Sequence, residues 1–202
     1  ALVLAAGRSS RMGGPNKLLA EIGGKPMVAQ VVRAALDSQA ISVTVVLGHM
    51  AREVRAAVAS LDAAAAKVTF VENPDYASGL STSLRAGLAT LPADVDGVLV
   101  CLGDMPAVAA AQLDKLIAAY NPIEGRAICV PTVGGKRGNP ILWDRRFFAE
   151  MAGVSGDTGA RHLIGEHADL VCEVDIGSDS VLIDLDTPEA LAAFRARSPE
   201  AA

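Results

Sequence analysis

Leu2-Val3-Leu4-Ala5-Ala6-Gly7-Arg8-Ser9-Ser10-Arg11-Met12-Gly13-Gly14-Pro15-Asn16-Lys17-Leu18 begins as an apolar run and breaks into a loop of Gly, Ser and cations. Leu2–Ala5 reads as a buried first strand, and Gly7 ends it. Backbone N–H groups exposed in a Gly/Ser-rich loop can cradle phosphate oxygens, and Arg11 and Lys17 can neutralise a polyphosphate. Two common phosphate loops are excluded by spacing. G-x-x-x-x-G-K-[ST] needs Gly where Asn16 stands, and G-x-G-x-x-G needs Gly where Ser9 stands. A basic surface loop punctuated by glycines is the other reading of these residues.

Outward from that loop, apolar β-branched runs alternate with helical spacing. Strands are predicted over 42–47, 67–71, Gly97–Leu102 and 127–130, and helices over 26–37, 79–91 and 109–120, with one more carrying Val54 and Val58. Beyond Pro131 the alternation weakens. Gly134, Gly135, Gly138 and Pro140 mark a loop; 144–151 and 158–167 read as short helices, 170–174 and 181–183 as late strands, and Pro188–Arg197 as a terminal helix. Such a chain predicts an α/β, Rossmann-like fold: a mostly parallel twisted sheet with helices on both faces. Ligands then bind beyond the carboxyl ends of the strands. One domain over 1–202 is expected, with a nucleotide-binding part at 1–130 and an acceptor-binding lobe at 131–197.

The 202 residues carry a formal net charge of −5, which argues against nucleic acid as a partner. Arg8, Arg11, Lys17 and Lys25 nevertheless cluster near the start, which suits a small anionic ligand. No apolar run is long enough to span a bilayer and no secretory pattern is visible, so the expectation is a cytoplasmic protein without membrane contact. Cys101, Cys129 and Cys172 lie among strand-like apolar residues without metal-ligand spacing and read as buried, inert thiols. His49, His162 and His167 form no ligand or triad spacing, and Trp143 reads as packing.

Two acidic positions carry more chemistry. Asp104 follows an interior strand through Gly103, where a carboxylate can hold Mg²⁺, a hard cation that shares its shell with phosphates. The other reading is a turn or N-cap aspartate. Asp184 and Asp186 flank Leu185; two apart in an extended segment, they point the same way and suit a second metal contact. Capping of the last helix by Asp186 or Thr187, with Pro188 at its first turn, is compatible with that role. The stretch from Asn73 to Ser83 holds more hydroxyls than a helix cap needs, and these can read a base edge.

Read in order, several motifs converge. L-A-A-G-x-S-x-R-M-G-x-x-N-K-L over 4–18 is followed by Gly24-Lys25-Pro26, Asn73-Pro74 with Gly79 and Ser83-Leu84, and Leu102-Gly103-Asp104-Met105-Pro106. Arg137-Gly138-Asn139-Pro140, Gly156-Asp157 with Gly159-Ala160-Arg161, and Asp184-Leu185-Asp186-Thr187-Pro188 complete the set. The ordered set resembles the MobA-like nucleotidyltransferases, and among them the molybdenum cofactor cytidylyltransferases most.

That resemblance implies a fold of the nucleotide-diphospho-sugar transferase type and a Mg²⁺-dependent transfer of CMP from CTP, with release of pyrophosphate. It implies Arg11, Lys17 and Asp104 as catalytic residues and Asp104 and Asp186 as metal contacts. Leu4, Ala5, Ala6, Gly7, Arg8, Ser9 and Lys17 would hold the nucleotide, with Asn73, Gly79, Ser81 and Ser83 near its base. Ala5-Ala6 in place of a Gly-Gly pair resembles the cytidylyl branch, hence CTP over GTP. The acceptor implied is a phosphate-bearing small molecule, molybdopterin first, held by Arg137, Gly138, Asn139, Asp157 and Arg161. For Asp157, capping of the following helix is an equal reading. Transient contact with a molybdoenzyme or its chaperone would follow. Two other classes stand beside this one: a non-catalytic nucleotide- or molybdopterin-binding maturation factor, and a MobA-like NAD(P)H-dependent oxidoreductase, for which the dinucleotide fingerprint is missing.

Overall fold

Alternation of side chains along the strands decides the layering. The computed structural model describes residues 1–9, 16–61, 67–156 and 159–197. Its strands are β1 (Leu2–Ala5), β2 (Glu21–Ile22), β3 (Lys25–Pro26), β4 (Val43–Leu47), β5 (Val68–Glu72), β6 (Gly97–Leu102), β7 (Ile128–Val133), β8 (Lys136–Arg137), β9 (Ile141–Asp144) and β10 (Val171–Asp175). Its helices are α1 (Met27–Asp37), α2 (Ala51–Ala59), α3 (Leu80–Leu88), α4 (Ala110–Ala119), α5 (Phe148–Gly153), α6 (Leu163–Glu166) and α7 (Pro188–Arg197). In β1, Val3 and Ala5 face a core built with α1, α2 and α4. Leu2 and Leu4 face the opposite core, built with α3, α5 and α6. Burying a Leu side chain fully on either face contributes about 1.5–3 kcal/mol.

The main sheet runs β10-β7-β9-β6-β1-β4-β5, with β8 paired to β7. β6, β1, β4 and β5 are parallel, as are β7 and β10, while β9 runs against both of its neighbours. The expected Rossmann-like, mostly parallel sheet with helices on both faces is therefore present. The carboxyl ends of β1 and β6 lie side by side, because Leu4 is in register with Leu102 and Gly103 N–H donates to Leu4 O at 3.0 Å.

The second half departs from the expected elements. The loop expected at 134–140 is a β7–β8 hairpin whose turn residues Gly134 and Gly135 take φ of +55° and +77°. The strand β9, unforeseen, follows at once and takes in Asp144, where a helix was expected to start. The helix there is the shorter α5, after a 3-10 turn at Arg145–Phe147. The strand expected at 181–183 is instead a 3-10 turn, Asp179–Leu182, and of the helix expected over 158–167 the described residues form only α6 and its lead-in. A small β2–β3 hairpin before α1 was also not foreseen. It lies beside a third cluster in which Ile22 and Met27 meet Leu185 and Leu191 of the C-terminal segment. No described helix is long and apolar enough to cross a membrane.

Candidate functional site

Three separate pieces of chain meet at the carboxyl ends of β1 and β6. Gly103 turns out of β6 against Leu4 and delivers Asp104. Leu185, 1% exposed in the third cluster, donates its N–H to Asp104 O at 3.1 Å and so seats Asp186 beside it. Thr187 then caps α7, its hydroxyl accepting from Ala190 N–H at 3.2 Å, so Asp186 is not needed as the cap. Asp184 is exposed and does not line the cleft, whereas Asp186 does, so the cleft takes one of the two acids expected there.

Lys17 comes from the first loop. Its ammonium donates to Asp104 Oδ2 at 2.6 Å and also to Asp186 Oδ1. The Lys17 side chain is only 12% exposed. Burial alone would lower its pKa, but Asp104 and Asp186 outweigh that and hold it above the ordinary value, so it is a fixed cation at neutral pH. The other carboxylate oxygen of Asp104, Oδ1, is buried with no hydrogen-bond partner among the described residues. A buried carboxylate oxygen left without a donor is costly and suits a ligand that supplies one or a cation. Two carboxylates from separate segments, one with an open oxygen, fit a Mg²⁺ that completes its shell with phosphate oxygens and water. No larger metal-ligating cluster occurs among the described residues.

The loop itself is pinned at both ends by Asn16, a residue the sequence reading quoted but gave no role. Asn16 Oδ1 accepts from Ser9 Oγ at 3.0 Å and from Leu18 N–H at 3.1 Å, and its amide nitrogen donates to His49 O at 3.3 Å. Ser9 Oγ in turn accepts from Lys17 N–H at 3.0 Å. An Asn beside Lys17 at the end of a Gly/Ser-rich loop was the available signal for this brace. Residues 10–15 and 157–158, and with them Arg11, Asp157 and Thr158, lie outside the described residues.

A cleft of about 590 Å³ opens here. Of the expected nucleotide residues, Leu4, Ala6, Gly7, Arg8, Ser9, Lys17, Gly79 and Ser83 line it, together with Asp104 and Asp186. A Cβ at Gly7 would meet nothing within 4 Å among the described residues, so their packing does not demand glycine there; a ligand approaching the backbone would. Tyr76, Ala77 and Leu80 also line the cleft, although none was singled out. Ala5, Asn73 and Ser81 do not line it. Ala5 is buried in the sheet; Asn73 spends its amide on Thr82 Oγ1 (2.9 Å) and Ser83 Oγ (3.0 Å) and braces the loop before α3 from within; Ser81 is buried.

A second compartment of about 570 Å³ shares the wall Leu4, Leu80 and Leu102 with the first. Asn139, Arg161 and His162 are its polar members, against Val100, Ile141 and Trp143. The other described residues expected there, Arg137 and Gly138, are engaged elsewhere. Arg137 pairs with Glu173 at 2.7 Å while its carbonyl accepts from Arg161 at 3.1 Å, and Gly138 is buried between Pro131 and Val181.

The model of the MobA-like NTP transferase domain matches residues 1–170. A nicotine blue oxidoreductase of Paenarthrobacter nicotinovorans is 29% identical over 93% of this chain and 92% of its own. A bifunctional protein GlmU of Kineococcus radiotolerans is 37% identical over 65% of this chain, and the match spans about a quarter (26%) of that protein. Among solved structures, Rv0371c of Mycobacterium tuberculosis H37Rv in complex with manganese superposes with a TM-score of 0.79 at 29% identity, over 98% of this chain and 97% of that one.

Proposed function

This chain belongs to the MobA-like NTP transferase family, and from that premise we propose that it transfers CMP from CTP to a phosphate-bearing acceptor, molybdopterin being the first candidate. The observation that carries the reading is the meeting of Lys17, Asp104 and Asp186 beside the open backbone of Gly7 in one cleft. Asp104 and Asp186 would hold Mg²⁺, which when bound neutralises charge on the triphosphate. The manganese-bound relative is consistent with a divalent ion in this family. Lys17, with Arg11 from the same loop, would neutralise the phosphates, and the amides of residues 7–9 would cradle them.

The base would lie against Ala6, Gly79 and Ser83, with the Asn73 bracket setting the loop behind them. The acceptor would occupy the adjoining compartment in the 131–197 lobe, its anionic group toward Arg161 and Asn139. An acceptor phosphate oxygen attacks the α-phosphorus, the new P–O bond forms, and the bond to the β-phosphate breaks to release pyrophosphate. That oxygen is already ionised, so the protein's work is positioning and charge neutralisation. Pyrophosphate release with CTP, Mg²⁺ and candidate acceptors tests the proposal. No release with any of the four triphosphates and a panel of acceptors would remove it in favour of a non-catalytic carrier of the nucleotide or acceptor.

A second reading has a specific observation behind it: the nicotine blue oxidoreductase relative aligns over nearly the whole chain. An NAD(P)H-dependent reduction would then occupy the same cleft. NAD(P)H oxidation in the presence of a quinonoid dye, without CTP, distinguishes it from transfer.

A further inference from the structure

We infer that Lys17 is the resident counter-cation of the Asp104–Asp186 pair, standing where a divalent ion would bind, so that the protein takes up metal together with the triphosphate and not before it. The inference rests on the nucleotidyltransferase reading and adds an order of binding to it.

The argument starts from ligand chemistry. An ammonium and a hard divalent ion want the same partners, carboxylate oxygens. Lys17 Nζ contacts one oxygen from each acid and so bridges the Asp104 and Asp186 segments at the cleft, which the Leu185–Asp104 hydrogen bond also joins. A divalent ion entering between the same oxygens would meet a positive charge already in hydrogen-bond contact with both, and repulsion at that distance is strong where water is largely excluded. Metal binding therefore requires the ammonium to leave.

Departure needs a destination. The Lys17 side chain lines the same cleft as Gly7, Arg8 and Ser9, so a polyphosphate lying there would offer the ammonium new anionic partners. The backbone need not follow. Lys17 N–H is held by Ser9 Oγ and its carbonyl accepts from Ala20 N–H at 3.0 Å, which leaves the flexible four-carbon stem to make the move. The buried Oδ1 of Asp104, without a partner among the described residues, is consistent with a site that a single ammonium fills only in part. Nucleotide and metal then arrive together: the phosphates draw Lys17 away and supply the remaining oxygens of the metal shell.

The test is Mn²⁺ binding followed by electron paramagnetic resonance, with no turnover required. Wild-type protein alone should bind Mn²⁺ weakly, and CTP should create a tight site. Lys17→Met should bind Mn²⁺ without nucleotide more tightly than wild type by on the order of tenfold or more, since one neighbouring charge commonly shifts a competing equilibrium by one to three decades. Adding Asp104→Asn to Lys17→Met should cancel that gain. Lys17→Gln, which keeps hydrogen-bond donors for the two acids, serves if the Met variant does not fold. An Mn²⁺ affinity in the folded Lys17 variants equal to or below wild type, beside CTP-dependent uptake in wild type, overturns this inference alone. Wild-type protein that takes up no Mn²⁺ even with CTP overturns both it and the nucleotidyltransferase reading.

Discussion

The N–H of Leu185 donates to the carbonyl oxygen of Asp104 at 3.1 Å, and this bond fixes the distance between two acids that lie far apart in sequence. Leu185 itself is buried against Ile22, Met27 and Leu191. Leu185→Ala should therefore act twice. Loss of the buried side chain costs about 2–4 kcal/mol of stability, and the slackened anchor displaces Asp186. Turnover in conditions where the variant is fully folded by circular dichroism should still fall. Full turnover per folded molecule would show that Asp186 does not depend on this anchor.

Lys17→Ala should lower turnover by about two to three orders of magnitude if its ammonium neutralises charge in the transition state. Asp104→Asn keeps the size and removes the charge; it should abolish most metal-dependent transfer and weaken nucleotide binding more with Mg²⁺ than without. Calorimetry with CTP, with and without Mg²⁺, gives the comparison. Equal metal dependence in wild type and Asp104→Asn would exclude Asp104 as a metal contact.

The first half of the fold was legible because β1, β4 and β6 are short apolar runs, β1 and β4 buried on two faces, and the helices α1 to α4 between and after the strands keep a period of 3.6. β1, β6 and α7 keep the bounds read from sequence. The second half was less legible for a local reason. β9 reads Ile-Leu-Trp-Asp immediately after a glycine- and proline-rich stretch, and its pairing partners, β6 and β7, come from elsewhere in the chain. Nothing nearby announces a strand whose hydrogen bonds are all long-range. The site shows the same division. Lys17 and Asp104 stand out because they follow interior strands, whereas Asn16 and Leu185 matter through partners that sequence spacing does not show. Asn73 was expected near the base, but its amide faces α3, because Thr82 and Ser83 come within reach only once that helix forms.

Two thiols should be inert in the native protein. Burial pushes Cys101 up to about 11, and burial with the neighbouring Cys172 pushes Cys129 up to about 12. Raised values leave the neutral thiol at pH 8, with thiolate at about one part in a thousand or less. Cys172, half-buried on the edge strand opposite Cys129, should react first with a disulfide reagent, and the other two only as fast as the protein opens. Rapid labelling of all three without denaturant would contradict this packing.

Acid sensitivity should be traceable to Asp144. Burial pushes its carboxyl up, but the Tyr120 hydroxyl at 2.6 Å and the Arg146 backbone and guanidinium groups outweigh it and hold the group below its ordinary 3.8. A depressed folded value means stability that is present above pH 3.8 and lost as pH falls through the folded value. Tyr120→Phe should cost about 0.5–1.5 kcal/mol near neutrality. That deficit should shrink as the pH drops below 3.8, because the variant has less carboxylate stabilisation to lose. Urea titrations across that range would show the convergence; a deficit that stays constant would place the contribution of Tyr120 elsewhere.

Gly138 should be intolerant of any side chain, for packing rather than for acceptor binding. The resemblance to the family implied an acceptor contact, yet Gly138 lines neither cavity. Its N–H donates to Pro131 O at 2.8 Å, and Asn139 N–H donates to Val181 O at 2.9 Å, so the strand end after β8 is stitched to β7 and to the 3-10 turn at Asp179–Leu182. A Cβ on Gly138 would run into Val181 O, a backbone atom that cannot rotate away. Gly138→Ala must then push the Val181 turn outward, and that turn leads through Leu185 to Asp186. The expected result is a loss of about 1–3 kcal/mol from overpacking, with turnover lowered at saturating acceptor because the displaced group is Asp186. Arg161→Ala offers the contrast, since Arg161 lines the second compartment and is exposed. It should raise the KM for the acceptor while stability stays within about 0.5 kcal/mol of wild type. If Gly138→Ala instead raised only the acceptor KM and melted like wild type, Gly138 would be an acceptor contact after all, and the Val181 turn would not transmit strain to Asp186.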